Sequence, residues 1–417
     1  MSDTTRECQD HDRRPSGQAR RPLPLLTAFQ RQHFGLVLAS GALWNVSRWM
    51  TLFLAAFLAA ELTDSPLGVQ LVGAAFYGPF LIGAVGGMLS DRYDRRLIIV
   101  AYLLLLTPVT LGVAALVLTD AIRLWMLYPF GFLAGFGWIL DLTARRALVA
   151  DLVGDDLVTN AFSLEAVSAS VGGIAGALGG GAIVGLAGVG EAFLAMAALQ
   201  AGAIVLLLRL PSPRARRRNA ASWRDDLRQG IALLPRHRAL VSILGVTVIF
   251  NLFYFTFIAL IPERAEDLGV GAFGTGVLSG ASTIGATCAA VAVASMARPA
   301  RGRLYVFGSA AALAALPVYA LVDIYAVALL ALILGGLGVG GFVTMQVTLV
   351  ATAVEDEARG RALGLLSTAI GVLPVGTILL GLVAEGVGIG PAIAGSACAG
   401  TLALILWLAR WPEALRL

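Results

Sequence analysis

The chain has 417 residues, of which 58% are hydrophobic and only 13% charged, with a mean hydropathy of +0.84. Soluble domains carry roughly 25% charged residues, so composition excludes a soluble enzyme or binding module and indicates a polytopic membrane protein. All 30 basic residues are arginine. The three cysteines, Cys8, Cys288 and Cys398, have neither metal nor redox spacing and imply no disulfide framework. The 49 glycines exceed the usual share, as expected where small residues let membrane helices approach closely. Long apolar runs exclude the short alternating strands of a membrane barrel.

In chain order, residues 1–33 are polar and carry Arg6, Arg13, Arg14, Arg20, Arg21 and Arg31. They lack the apolar core of a cleaved signal peptide and read as a cytoplasmic tail. A first apolar span runs from about Phe34 to Ala60, with Trp44, Asn45, Arg48 and Trp49 near its middle. Glu61 to Pro66 makes a short turn. A second span, Leu67 to Leu89, and a third, Leu97 to Leu118, each match the roughly 20 residues that cross a bilayer. Between them, Gly87-Met88-Leu89-Ser90-Asp91-Arg92-Tyr93-Asp94-Arg95-Arg96 forms a very short charged turn. Pro79 and Pro108 fall inside spans and are expected to bend them.

The fourth span ends near Leu140, and a charged stretch with Asp141, Arg145, Arg146 and Asp151 follows. The fifth carries Glu165 and the glycine series Gly172, Gly176, Gly179 and Gly180. After the sixth span, residues 209–239 form the longest polar interruption, opening on Pro211-Ser212-Pro213 and an arginine run. Within it Trp223, Leu227, Ile231 and Leu234 recur at helical spacing, and Ser222 with Asp225 reads as a capping box. This predicts an amphipathic helix on the membrane surface, its arginines facing anionic headgroups rather than nucleic acid. Six further spans follow. The turn of the seventh and eighth holds Glu263, Arg264, Glu266 and Asp267, and the ninth and tenth flank Asp323.

The expected architecture is an all-α membrane protein of about twelve transmembrane helices in two six-helix pseudo-repeats. The boundaries are a cytoplasmic tail 1–33, an N-terminal bundle 34–210, a central loop 211–238, a C-terminal bundle 239–410 and a cytoplasmic tail 411–417. Of the 30 arginines, 27 fall in the tails and on the loops of one side, Arg123 and Arg264 on the other, and Arg48 in a span. By the positive-inside rule, both termini are cytoplasmic.

The pattern Gly-x-Leu-x-Asp-Arg-x-x-Arg-Arg over Gly87 to Arg96 resembles motif A of the major facilitator superfamily. Its form Asp-Arg-x-Asp-Arg-Arg looks most like the branch of bacterial exporters that includes the enterobactin exporter. Leu62-Thr63-x-Ser65-Pro66 and Ala144-Arg145-Arg146-Ala147-Leu148 followed by Asp151-Leu152-Val153 resemble the same branch. Gly172 to Gly180 resembles motif C of antiporters with Ala177 in place of the proline; a seam for close helix packing is the alternative. The resemblance covers the chain from first span to last and implies a proton-coupled exporter of the bacterial inner membrane, monomeric, without cofactor or metal. The substrate it implies is a small amphipathic, anionic molecule such as a siderophore or other secondary metabolite. A multidrug efflux pump is one alternative, and a non-transporting receptor or scaffold another.

Charges inside spans are the candidate functional groups because each costs at least about 2.5 to 3.5 kcal/mol at mid-membrane. Arg48 is the first candidate for the substrate, since its fork suits a carboxylate, catecholate or phosphate. A structural ion pair with Glu165 is the competing reading. Trp44, Asn45, Trp49, Asn251, Tyr254, Phe255 and Gln346 are further lining candidates. Glu165 is the candidate proton carrier, because a carboxyl group deprived of water can take up a proton. Gly87, Asp91, Arg92, Asp94, Arg95 and Arg96 are expected to gate, with Asp91 latching onto the start of the eleventh helix and Asp141 pairing with Arg92 or Arg95. No catalytic constellation or phosphate loop is present in the sequence.

Overall fold

A computed structural model describes residues 24–82, 89, 93–154, 156–210, 231–296, 300–355 and 358–417. Among these residues there is no strand. The main helices are α1 (Phe34–Leu62), α2 (Pro66–Ile82), α3 (Arg95–Leu118), α4 (Leu124–Val153), α5 (Val158–Leu186), α6 (Val189–Leu208), α7 (Arg238–Asp267), α8 (Ala272–Ala294), α9 (Arg301–Leu321), α10 (Tyr325–Thr352), α11 (Arg359–Val387) and α12 (Ile389–Arg410). Eleven are long and apolar enough to cross a membrane; α2 is shorter, ending at Ile82 where the described residues break off. Large apolar side chains such as Leu105, Trp125, Phe307 and Leu406 stand exposed on the outer surface. So wide an apolar belt belongs against lipid rather than water.

Local chemistry accounts for the ends and breaks. Ser65 accepts a hydrogen bond from the Gly68 amide at 3.1 Å and starts α2. Asp94 accepts from the amides of Arg96 (2.9 Å) and Leu97 (3.4 Å) and caps α3. Proline has no N–H for the carbonyl four residues back. Accordingly α11 breaks after Ile370, four residues before Pro374, and α7 passes through a 3₁₀ stretch, Phe255–Leu260, ahead of Pro262. Pro108 lies inside α3, as the sequence indicates.

Two hydrophobic cores form, one from residues 28–210 joined by Leu373, the other from residues 240–414. The halves meet where α5 packs on α8 and α2 on α11. At the α5–α8 crossing, a Cβ on Gly181 would lie 2.6 Å from the Ala272 carbonyl oxygen and one on Gly276 2.6 Å from that of Ala177, so only glycine permits this approach. Away from the chain termini the seam also holds polar contacts. The Gln70 amide donates to the Thr256 carbonyl at 2.9 Å, and Glu385 of α11 accepts from the Ser65 hydroxyl and, at 3.3 Å, from the Leu67 amide.

Candidate functional site: a central cavity between the halves

A cavity of about 440 Å³ lies between the halves, walled by α1, α2, α4 and α5 on one side and α7, α8, α10 and α11 on the other. Its N-terminal wall is aromatic. Trp138 of α4 sits at the centre of a ring cluster, with centroids 4.9 Å from Phe80, 5.8 Å from Phe76, 6.2 Å from Trp49 and 6.3 Å from Tyr77. Trp49, Tyr77, Phe80 and Trp138 all face the cavity.

Arg48 stands behind this wall. Its guanidinium carbon is 4.4 Å from the Trp138 ring centroid and 5.3 Å from that of Trp49, and the residue is 9% exposed. Stacking on two indoles offsets part of the cost of burial. No carboxylate lies within 4 Å of it among the described residues, and its Nε has no hydrogen-bond partner. The ion pair with Glu165 is therefore not formed. Arg48 does not itself line the cavity, because neighbouring helix positions are turned by about 100° and Trp49 takes the cavity face.

Of the two partners expected for Asp141, Arg92 and Arg95, the structure corrects the second; Arg92 lies outside the described residues. Asp141 does not meet Arg95; it is held by Arg145, whose guanidinium approaches to 2.6 Å, with both residues buried. Arg145 lies one helical turn further along the same face of α4. It also donates to the Ser40 hydroxyl (2.8 Å) and the Val37 carbonyl (3.2 Å), tying α4 to α1. Arg95 instead pairs with Asp151 and donates to the Ala147 carbonyl at 3.1 Å, and Arg96 donates to the Leu208 carbonyl at 2.9 Å. Gly87, Asp91 and Arg92 lie outside the described residues, as do Trp223, Leu227, Ser222 and Asp225 of the expected surface helix.

Glu165 is half-buried on α5, and one of its carboxyl oxygens, Oε1, is buried with no hydrogen-bond partner. The charges that act on it are Arg145, Asp141 and Arg146. Of the antiporter-like glycines, three form a seam with α1: added Cβ atoms would come within 2.5 Å of Asn45 Cβ at Gly172, 2.6 Å of the Val46 carbonyl oxygen at Gly176, and 2.9 Å of Phe53 Cδ1 at Gly180. Gly179 has nothing within 4 Å of such a Cβ.

The C-terminal wall carries neutral polar groups. Asn251 donates to the Thr247 carbonyl at 2.9 Å and Gln346 to the Thr247 hydroxyl at 3.2 Å, while the Tyr305 hydroxyl lies 2.7 Å from the same hydroxyl. Each amide thus uses an N–H within the protein, and among the described residues neither side-chain carbonyl accepts a hydrogen bond. Phe255, Ser282 and Thr283 complete this wall. Of the other lining candidates, Tyr254 stacks on Phe250 at 4.6 Å, inside the core and off the cavity surface, and its hydroxyl lies 3.5 Å from that of Ser282. Trp44 is buried edge-on to Tyr102 at 5.3 Å, and Asn45 packs against Gly172.

Sequence reasoning missed Tyr77, Phe80 and Trp138, since nothing in an apolar run marks which aromatic faces a cavity and which faces lipid. It also missed Arg145 as the partner of Asp141, which the four-residue spacing does signal.

Two bundles enclosing a central cavity, under an outer surface suited to lipid, define a membrane transporter. The sequence model of the Major Facilitator Superfamily matches residues 37–377, and the chain belongs to that family of secondary transporters. It is 27% identical over 320 residues to the enterobactin exporter EntS of Salmonella typhi, covering 72% of each chain. It is 26% identical over 317 residues to EntS of Escherichia coli O81 (strain ED1a), covering 72% of this chain and 71% of that one. Solved structures share the fold. The nucleoside transporter NupG gives a TM-score of 0.70 at 16% identity, covering 91% of this chain and 98% of that one. The D-xylose-proton symporter gives 0.70 at 15% identity, covering 91% and 98%.

Proposed function

We propose that the protein is a proton-coupled exporter of a small amphipathic anion, of the siderophore or secondary-metabolite kind, working by alternating access as a monomer in a bacterial inner membrane. The observation that carries this reading is the aromatic cavity of about 440 Å³ backed by Arg48, a cation without a paired anion. Aromatic walls favour the apolar body of the substrate. The charge behind them favours an anionic group: at an effective dielectric of about 20, a unit charge roughly 8 Å away is worth about 2 kcal/mol. Asn251 and Gln346 offer acceptor oxygens to hydroxyl or amide donors on the same molecule. Likeness to enterobactin exporters supports the direction of transport.

In this reading Glu165 carries the proton. Its Oε1 is buried without a hydrogen-bond partner, and Arg145, Asp141 and Arg146 are the charges that act on it. The two bundles, 34–210 and 239–410, joined by residues 211–238, rock about the α5–α8 and α2–α11 seams. The apolar run Leu67 to Leu89 of the sequence is counted as one of twelve spans, and the arginine asymmetry sets both termini in the cytoplasm. Motif A latches the cytoplasmic side through Asp91.

A multidrug pump is the second reading, favoured by how few polar groups face the cavity. Metabolites retained by cells lacking the gene, compared without targeting with those of cells that carry it, decide between the two. Accumulation of one acidic aromatic metabolite supports the proposal. Unchanged metabolites with raised sensitivity to unrelated cationic drugs overturns it. Reporter fusions test topology: fusions after Arg96, Arg218 and Arg303 should report cytoplasm and those at Asp64 and Glu266 the outside.

A further inference from the structure

At the end of the seam remote from the termini, α7 closes with the turn Ile261–Asp267. This turn packs against α1 of the N-terminal half as well as against α8 and α12, and its Pro262 is part of the cavity wall. Between the wall and the surface sits Glu263. It is 8% exposed, and neither of its carboxyl oxygens has a hydrogen-bond partner.

The adjacent cation does not neutralise it. Arg264 is taken up by the Val322 carbonyl (3.0 Å), Asp323 (3.1 Å) and Asp267 (3.4 Å). The charges acting on Glu263 are acids: Asp267 and Glu266 on its own turn and Glu385 on α11. Glu61, at the end of α1, faces Glu266 in turn. Glu385 is also the residue that binds Ser65 and the Leu67 amide, and so ties α11 to the other half. An ionised carboxylate stripped of water and of donors costs several kcal/mol to bury, and three neighbouring acids add to that cost. The protonated acid carries no such charge.

We propose that Glu263 is the proton site of the outer gate, a neutral carboxylic acid while this end of the seam is closed and a carboxylate once the halves part and water reaches it. The closed state then holds one more proton than the open state. By linkage, lower external pH favours closure, and the open-to-closed ratio rises up to tenfold per pH unit. The proton that closes the gate comes from the outside medium at Glu263, a site separate from Glu165 on α5. The inference rests on alternating access and on no particular substrate.

The test uses the full chain in lipid nanodiscs with Cys8, Cys288 and Cys398 replaced by serine. Spin labels are placed at Thr119→Cys, on the α3–α4 turn, and at Val387→Cys, at the end of α11. Pulsed dipolar distances are then recorded from about pH 5 to pH 9. The long-distance population should grow with pH in the parent protein, stay small at every pH in Glu263→Gln, and keep its pH dependence in Glu263→Asp. A single symmetric gel-filtration peak shows that each variant is folded. Glu263→Gln following the parent curve overturns the proposal, as does a curve flattened by Glu165→Gln and untouched at Glu263. A gate curve left intact by Glu165→Gln and flattened by Glu263→Gln supports a proton site at the gate separate from Glu165.

Discussion

The two halves present different chemistry to one cavity. The N-terminal half buries charge: Arg48 behind Trp49 and Trp138, the Asp141–Arg145 pair, and Glu165 with one orphaned oxygen. The C-terminal half faces the cavity with neutral groups, Asn251, Gln346 and Ser282, braced by Thr247 and Tyr305. The two halves thus solve different dielectric problems at one cavity. Buried charges act over distance, whereas neutral amides act only on what touches them. At the cavity the N-terminal half is therefore suited to acting on charge and the C-terminal half to selecting shape and hydrogen bonding, while Glu263, the buried acid of the C-terminal half, lies off the cavity wall at the end of the seam.

The largest effect that sharpens this contrast is expected at Asp141. Asp141→Ala leaves Arg145 buried beside Arg48 with no counter-charge, and breaking a buried pair from one side costs about 3–5 kcal/mol. The yield of folded protein should collapse. Asp141→Leu combined with Arg145→Leu removes both charges and should recover much of that stability, measured by thermal unfolding in detergent. A double variant no more stable than the single would show that the pair does more than neutralise itself.

Arg48 comes next, and here stability and function should move in opposite directions. Arg48→Met keeps a long stem against Trp138 and removes an unpaired buried charge, so unfolding temperature should hold or rise. Affinity for the anionic substrate should fall about 30-fold, which is the loss of roughly 2 kcal/mol. A lowered unfolding temperature with unchanged affinity would make Arg48 a structural residue. Glu165→Gln should keep binding but abolish its pH dependence. Because Arg48 and Glu165 form no ion pair, the effects of Arg48→Ala and Glu165→Gln should add in the double variant, with no rescue.

The fold was legible because span length and the glycine content are properties of composition along the chain, and a bilayer leaves few alternatives. Within the site, Trp49, Asn251, Phe255 and Gln346 were found by their position on spans one, seven and ten, and all four face the cavity. Arg48 was found because charge stands out in an apolar run, but sequence does not say that Trp49, one residue on, takes the cavity face. Trp138 was invisible for the opposite reason, being apolar among apolar residues. Asp94 illustrates a third limit: expected from the sequence to gate, it serves in the structure as the N-cap of α3, and sequence alone does not separate the two roles. Glu263 was read as part of a turn, since only packing against α1 reveals that the turn is buried.

The smallest expected effect lies in the C-terminal half and tests whether its amides select rather than power transport. Gln346 donates to Thr247, and among the described residues its carbonyl oxygen accepts no hydrogen bond. Gln346→Leu keeps approximate volume while removing that acceptor, and a neutral hydrogen bond is worth about 0.5–1.5 kcal/mol. Affinity for the substrate should therefore drop between about twofold and tenfold. Because no charge is added or removed, the pH dependence of binding should superimpose on that of the parent protein once scaled. The Thr247 hydroxyl keeps Tyr305 as a partner at 2.7 Å, so stability should change little. A shifted pH profile in Gln346→Leu would break the division of labour between the halves, since it would tie a neutral group of the C-terminal half to the proton.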